Sequence, residues 1–390
     1  MSAEKYLELG VSATKEDVHK AIANQSKGLF PGAFCKIVCD YLGDPDYCLS
    51  MHSDGAGTKS TIAYIQYKET GNSNVFYGIA QDSIVMNTDD LLCVGATDDF
   101  FVSNTIGRNI HRIDGIAIKK LIEGYSTFAS TMEKHGIQLH LTGGETADIG
   151  DLVATVIADS TIFVRMKKDH VVDNTKIKAG HVIVGLSSTG KAIYEDTENS
   201  GIASNGCTAA KHTLLSQYYA DKYPETYSTT LPKNLAYMGK YKMDDSLPGS
   251  TQNIGAALLS PTRTYLPIMK RILESHFDSI SGIVHCTGGG QVKCKNFGQG
   301  LHYVKDNLFE LPPIFKAIRE AGTITAKEMY QIFNMGHRME IYCDAGVADE
   351  IIAISKSLNV DAKTIGKIEK SKTDVNEVTI IDSLGNRFDY

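Results

Sequence analysis

The order of apolar and polar positions divides this chain into strands, helices and two halves. Residues 47–53 mix apolar and polar side chains before a glycine turn, which predicts a strand delivering Asp54 at its end. Residues 75–95 carry Ile79, Ile84, Val85, Leu91 and Leu92 at helical spacing. Such a helix places Asp82, Met86 and one of Asp89 or Asp90 near one face, because residues three and four apart are neighbours. Residues 99–106 read as a strand, and 113–135 as an amphipathic helix with Ile116, Leu121, Ile122, Tyr125 and Phe128 inward. Residues 137–141 read as a short strand ending in Gly143-Gly144, and 153–164 as another. The first ~45 residues read as one or two helices and an apolar loop.

A polar, charged stretch over 167–180 then breaks the pattern, and Val182-Ile183-Val184-Gly185-Leu186 begins a fresh buried strand. The predicted boundary lies near residue 172, giving units 1–172 and 173–390. The second half alternates strand and helix patterns around the turn Gly288-Gly289-Gly290. Residues 191–200 and 216–250 are polar and read as surface insertions. Mixed strands and helices in two halves argue for an α/β class with α+β layers.

Composition narrows the function. With 390 residues, 42% hydrophobic and 22% charged, the chain can bury two cores. A net charge of −7 removes the basic stripe that a nucleic-acid partner requires. No apolar run approaches the ~20 residues of a membrane span. The start, Met1-Ser2-Ala3-Glu4-Lys5, lacks the features of an export signal, so the expected location is cytoplasmic. Eight cysteines without a C-x-x-C pair or zinc spacing read as reduced thiols.

Three clusters carry the candidate chemistry. They are Asp54-Gly55-Ala56-Gly57-Thr58-Lys59, the run from Gln81 to Asp90, and Gly143-Gly144-Glu145-Thr146-Ala147-Asp148. Together they supply hard oxygen ligands, a flexible glycine turn and a lysine, a set suited to Mg2+ and ATP without a P-loop. Each also has a plain reading: a solvated turn, an exposed acidic face, or a glutamate in a helix's first turn. Downstream, Ser204-Asn205-Gly206 offers donors to a phosphate, with Ser187, Ser188 and Gly190 as the competing loop. His285, before Thr287 and three glycines, is either a proton carrier near neutrality or a packed strand-end residue.

In order, these motifs resemble the phosphoribosylformylglycinamidine cyclo-ligase (aminoimidazole ribonucleotide synthetase) family. The likeness is carried by residues 6–11, 54–59, Met86-Asn87 with Asp90, and Gly143-Gly144-Glu145-Thr146-Ala147. It continues through Ser260-Pro261-Thr262-Arg263-Thr264-Tyr265, His285-Cys286-Thr287-Gly288-Gly289-Gly290 and residues 329–336. The resemblance implies ATP-driven closure of an imidazole ring on a ribonucleotide substrate. It also implies an N-terminal α/β domain that forms a shared barrel in a homodimer, beside a C-terminal α/β domain. On that basis ATP is assigned to Asp54, Gly55, Gly57, Thr58, Lys59 and Asn87, and Mg2+ to Asp54, Asp82, Asp90 and Glu145. The substrate phosphate is assigned to Ser204, Asn205 and Gly206, and catalysis to Lys59 and His285. Departures are equally specific. An insertion separates Gly190 from Ser204, Ala203 stands where the family has histidine, and His337-Arg338 stand where small residues are usual. Lys191, Lys211 and His212 are the cations available to replace that histidine. The competing readings are another ATP-using member of the superfamily, such as a selenophosphate synthetase or a maturation factor, and a catalytically silent ATP-binding module.

Overall fold

The computed structural model describes residues 4–12 and 16–390; the first residues of the chain, read above as unlike an export signal, lie outside the described residues. Helices α1 (Glu4–Glu8) and α2 (Glu16–Ile22) lead into strands β1 (Ile37–Cys39) and β2 (Tyr47–Gly55). Then come α3 (Lys59–Thr70), α4 (Val75–Leu92), β3 (Phe100–Arg108), α5 (Gly115–Glu133), β4 (Leu139–Asp148) and β5 (Val156–Lys167). The second half opens with β6 (Val182–Ser187), α6 (Cys207–Leu214), α7 (Gln217–Lys222), α8 (Ile254–Leu258) and α9 (Leu266–His276). It continues with β7 (Ile280–His285), β8 (Leu301–Lys305), α10 (Pro313–Glu320), α11 (Ala326–Ile332) and β9 (His337–Cys343). The last elements are α12 (Ala348–Ser357), β10 (Ala362–Lys370), β11 (Glu377–Ile381) and β12 (Arg387–Asp389).

Among the described residues these strands form two mixed sheets, ordered β1-β2-β5-β3-β4 and β12-β11-β8-β10-β6-β9-β7. In the first, only β3 and β4 run parallel; in the second, only β8 and β11. β5 alternates buried and half-buried residues along most of its length, so one face of its sheet packs inward and the other stays open. α4 covers the inward face. It packs against β2, β5, α3, α5 and α9. Nearly every residue of α4 from Ile79 onward is buried, which marks it as a core helix rather than an amphipathic surface one.

Three local expectations change. In α5, Leu121, Tyr125 and Phe128 are buried, but Ile116 and Ile122 are 60% and 49% exposed. The true stripe is 117, 121, 124, 125, 128 and 132, and residue 122 lies a quarter-turn outside it. Gly124 is in that stripe because a Cβ there would meet Ala80 Cβ at 2.8 Å, so α4 and α5 touch backbone to backbone. The strand expected at 137–141 does not end at Gly143-Gly144; β4 bulges there and re-pairs with β3 through Asp148. Gly143 takes φ 90°, and a Cβ on Gly144 would lie 1.8 Å from Asn104 O. All eight cysteines are free as expected. Residues 216–250 are no simple surface insertion: Tyr219, Ala236, Tyr237, Met243 and Leu247 are buried, and their hydroxyls are satisfied internally. Tyr219 Oη accepts from Met243 N, and Tyr237 Oη bonds Thr226 Oγ1. No described helix is long and apolar enough to cross a membrane.

Candidate functional site

The polar residues of α4 are held by two partners, the end of β2 and the segment 260–265. Asn87 shows the first. Its amide donates to the carbonyls of Asp54, Ser83 and Ser160, at 3.0, 2.9 and 3.0 Å. Its oxygen meets His52 Nδ1 at 2.9 Å. Asn87 is therefore a fully buried clip between β2, α4 and β5, and its side chain is not open to ATP as the sequence suggested.

Asp82 is held by the second partner. Its Oδ1 accepts from Thr262 N at 2.7 Å and Thr262 Oγ1 at 2.6 Å, and pairs with Lys59 Nζ at 2.9 Å. Lys59 also donates to Ser260 O, and neither side chain of the pair is exposed. Both expectations need correction on physical grounds. The lysine expected to reach a phosphate and the aspartate expected to bind a cation neutralise each other under the 260–265 segment. Asp82 Oδ2 is buried without a partner.

Asp89 and Asp90, of which Asp90 was the expected ligand, are both buried. Asp89 accepts from Thr264 Oγ1 at 2.9 Å and from Arg338 Nη2 at 3.0 Å. Burial still lifts its carboxyl to about 7 against the pull of Arg338. Asp90 has His285 Nδ1 on Oδ1 at 2.5 Å and His52 Nε2 near Oδ2 at 3.3 Å. Burial opposes its ionisation, but Lys293, His285 and His52 outweigh that and hold it at about 2. With a histidine on each oxygen, Asp90 is not the open cation ligand expected.

His285 is also closed. Its other nitrogen, Nε2, lies 2.5 Å from Arg338 Nη1. Burial, then the Arg338 charge, lowers its pKa to about 3, so it is not the proton carrier near neutrality expected from sequence.

Asp54 remains exposed at the end of β2, its Oδ1 accepting from Gly55 N at 2.7 Å. On the adjacent strand, Asp159 pairs in register with Gly55. Burial and the Asp54 charge raise the Asp159 pKa, and no hydrogen bond or ion pair reaches its carboxylate among the described residues. Sequence reading missed Asp159, which is one polar letter in an alternating strand. Glu145 lies apart. It is exposed, in the cross-sheet row Asp159–Thr105–Glu145, two strands or about 10 Å from Asp159.

Two helix starts converge nearby. Thr58, preceding α3, bonds Thr208 of α6 through their hydroxyls at 2.7 Å. Gly206 takes φ 80° to start α6, and Gly57 takes φ 56° with open space around a would-be Cβ. Ser204 bonds Thr262 Oγ1 at 3.0 Å, and Asn205 Oδ1 is buried without a partner. The competing loop turns out to be built of carbonyls. Ser187, Thr189 and Gly190 all point oxygens at the Arg263 guanidinium, which Glu195 holds in a two-pronged pair. Lys211 and His212 do not replace the missing histidine. Lys211 donates to Thr61 Oγ1 and Thr226 O, and His212 Nδ1 accepts from Tyr237 N.

Cys286, His337 and Glu340 form a buried cluster with the spacing of a metal site. Glu340 already accepts from Lys305, His337 Nε2 and Tyr342 Oη. The ammonium of Lys305 supplies the positive charge that an ion would bring.

Comparison with known proteins decides the family. Residues 35–163 match the AIR synthase related protein N-terminal domain, and residues 178–378 the C-terminal domain. The chain belongs to the AIR synthase related protein family. Among curated members, phosphoribosylformylglycinamidine cyclo-ligase of Methanococcus maripaludis strain C7 is 29% identical over 376 residues, 94% of this chain and 92% of the relative. The Methanococcus vannielii protein of the same name is 30% identical over 328 residues, 83% of this chain and 78% of that one. Solved structures share the fold at lower identity. Thermotoga maritima PurL complexed with FGAR superposes with TM-score 0.57 at 13% identity, over 95% of this chain, which spans about half (49%) of PurL. A HypE–HypF complex gives TM-score 0.55 at 14% identity over 95% of this chain and 97% of that one.

Proposed function

We propose that this protein is an ATP-dependent cyclo-ligase that converts formylglycinamidine ribonucleotide to 5-aminoimidazole ribonucleotide, with release of ADP and phosphate, in cytoplasmic de novo purine biosynthesis. The observation that carries the reading is its nearly end-to-end similarity to relatives named for that activity. In this reaction ATP's terminal phosphoryl group passes to the formyl oxygen. The amidine nitrogen then attacks the formyl carbon, the carbon–oxygen bond breaks, and phosphate leaves.

The site's geometry supports binding of two anionic reactants. The starts of α3 and α6 converge where the Thr58 and Thr208 hydroxyls join, and helix starts favour phosphate groups. Asp54 and Asp159 fit a hard divalent cation, since Asp159 is a half-buried carboxylate without countercharge. They would hold Mg2+, and once bound it neutralises charge spreading over the transferring phosphates. Ser204, Asn205 and Gly206 would take the ribose phosphate. The protein's own work is alignment: the clip at Asn87 and the Lys59–Asp82 pair fix the β2–α3 turn against the 260–265 segment.

We further assign two units meeting near residue 172 and a homodimer through the open face of the first sheet. There Met51, Phe101 and Val38 are 64%, 44% and 42% exposed, more apolar surface than a free sheet face usually carries. The function is tested by incubating the protein with formylglycinamidine ribonucleotide, ATP and Mg2+. Equimolar ADP and aminoimidazole ribonucleotide are expected. ADP without the imidazole product would overturn the cyclo-ligase reading in favour of another ATP-using member of the superfamily.

A further inference from the structure

A chain of charges runs from the second sheet to the mouth of the proposed site. Arg338, on β9, is fully buried and anchored by Asp89 Oδ2 at 3.0 Å, by Arg263 O, and by the Tyr265 ring, 5.2 Å from its guanidinium carbon. Its Nη1 donates to His285 Nε2. A guanidinium has no acceptor, so Nε2 must be the unprotonated nitrogen and Nδ1 must carry the hydrogen given to Asp90. Asp90 then faces His52 Nε2. The Asn87 amide donates to three carbonyls, so its oxygen accepts from His52 Nδ1 and sets that ring's tilt. His52 is the open end of the series, with 24% of its side chain exposed, two residues from Asp54.

We infer that Arg338 is a positioning residue for the proposed cyclisation, locking His285 in its Nδ1-protonated tautomer and so setting, through Asp90, the orientation of His52 at the cleft. His285 serves as a rigid spacer in this arrangement. The inference rests on the proposed function for its effect on rate, but the tautomer lock stands on geometry alone. A merely space-filling residue at 338 has no reason to be cationic. Burying a guanidinium is costly unless its donors find partners, and here three separate acceptors take three of its five N–H groups.

The test uses the full-length protein with 15N-labelled histidines. Arg338→Met alone strands Asp89, so the informative variant is Asp89→Asn/Arg338→Met, which removes both charges. Long-range 1H–15N spectra of the parent are expected to show His285 as one tautomer, with Nε2 unprotonated. The folded double variant is expected to gain a hydrogen on Nε2 as well, because Asp90 still takes the one on Nδ1 while no guanidinium excludes a second. Its kcat for imidazole formation is expected to drop about tenfold to a hundredfold, with KM for ATP and ribonucleotide within about threefold, as for a misaligned group. A parent with Nε2 protonated overturns the inference, as does a variant keeping the parent tautomer or the parent kcat. If the parent shows the locked tautomer yet forms no imidazole product, the function reading fails while the tautomer lock stands.

Discussion

Lys59 decides between two pictures of the nucleotide turn, and a double-mutant cycle with Asp82 separates them. The two side chains are wholly buried with Nζ and Oδ1 at 2.9 Å. At an effective dielectric of ~20 their attraction is roughly 5 kcal/mol, set against a desolvation cost of several kcal/mol per ion. The pair's net contribution is therefore small, while a broken pair is severe. Lys59→Met leaves Asp82 with only the two Thr262 donors, and Asp82→Asn leaves the ammonium with only Ser260 O. Each single variant should lose about 3–5 kcal/mol of stability. The double Lys59→Met/Asp82→Asn should lose only about 1–2 kcal/mol, a coupling of at least 3 kcal/mol. Equilibrium urea unfolding of all four proteins measures this, with a shift in midpoint at constant slope. Additive losses would refute the buried-pair picture. So would Lys59→Met at parental stability with a raised KM for ATP, because the ammonium would then be a phosphate ligand.

Stability should fall with acid earlier than carboxylates alone require. His285 and His212 both have folded values near 3, below the ordinary 6.5, so unfolding takes up their protons as pH drops below 6.5. Asp89, raised to about 7, has the opposite sign: its penalty disappears as pH falls from 7 toward 3.8, and it cancels one histidine. Denaturation between pH 6 and 4.5 should therefore lose at least about 1.4 kcal/mol per pH unit, and a flat profile there would contradict the burial of these rings. The open face of the first sheet gives the other prediction. Light scattering should find a dimer for the parent and a folded monomer for Phe101→Glu/Met51→Glu; a parent monomeric at micromolar concentration removes the interface.

Local patterning made much of this fold legible. The strand ending at Asp54, the helix over residues 75–95 and the buried strand after Val182 follow from local pattern alone, the last two as apolar stretches buried on almost every side. What stayed hidden depends on partners far away in sequence. Asp82 looked like a free carboxylate because Thr262 lies 180 residues later, and Asp89 was passed over because Arg338 lies 249 residues later. Glu145 was misplaced for a different reason. Two glycines usually end a strand, and here they form a bulge that lets β4 continue. Tyr219 and Tyr237 count as polar letters, yet their rings pack and their hydroxyls find internal hydrogen-bond partners, so polarity gave the wrong side of the surface.

The long reach of α4 has a consequence for how the chain comes into being. The first sheet and its covering helix are complete once β5 has been made, but Thr264, Tyr265 and Arg338, which enclose Asp89, are not, so its carboxylate faces water. Its guanidinium arrives 249 residues after it. At roughly 5–20 residues per second of synthesis, the nascent half waits about ten to thirty seconds with that face of α4 uncovered. The final tightening of the N-terminal half belongs to the arrival of β9.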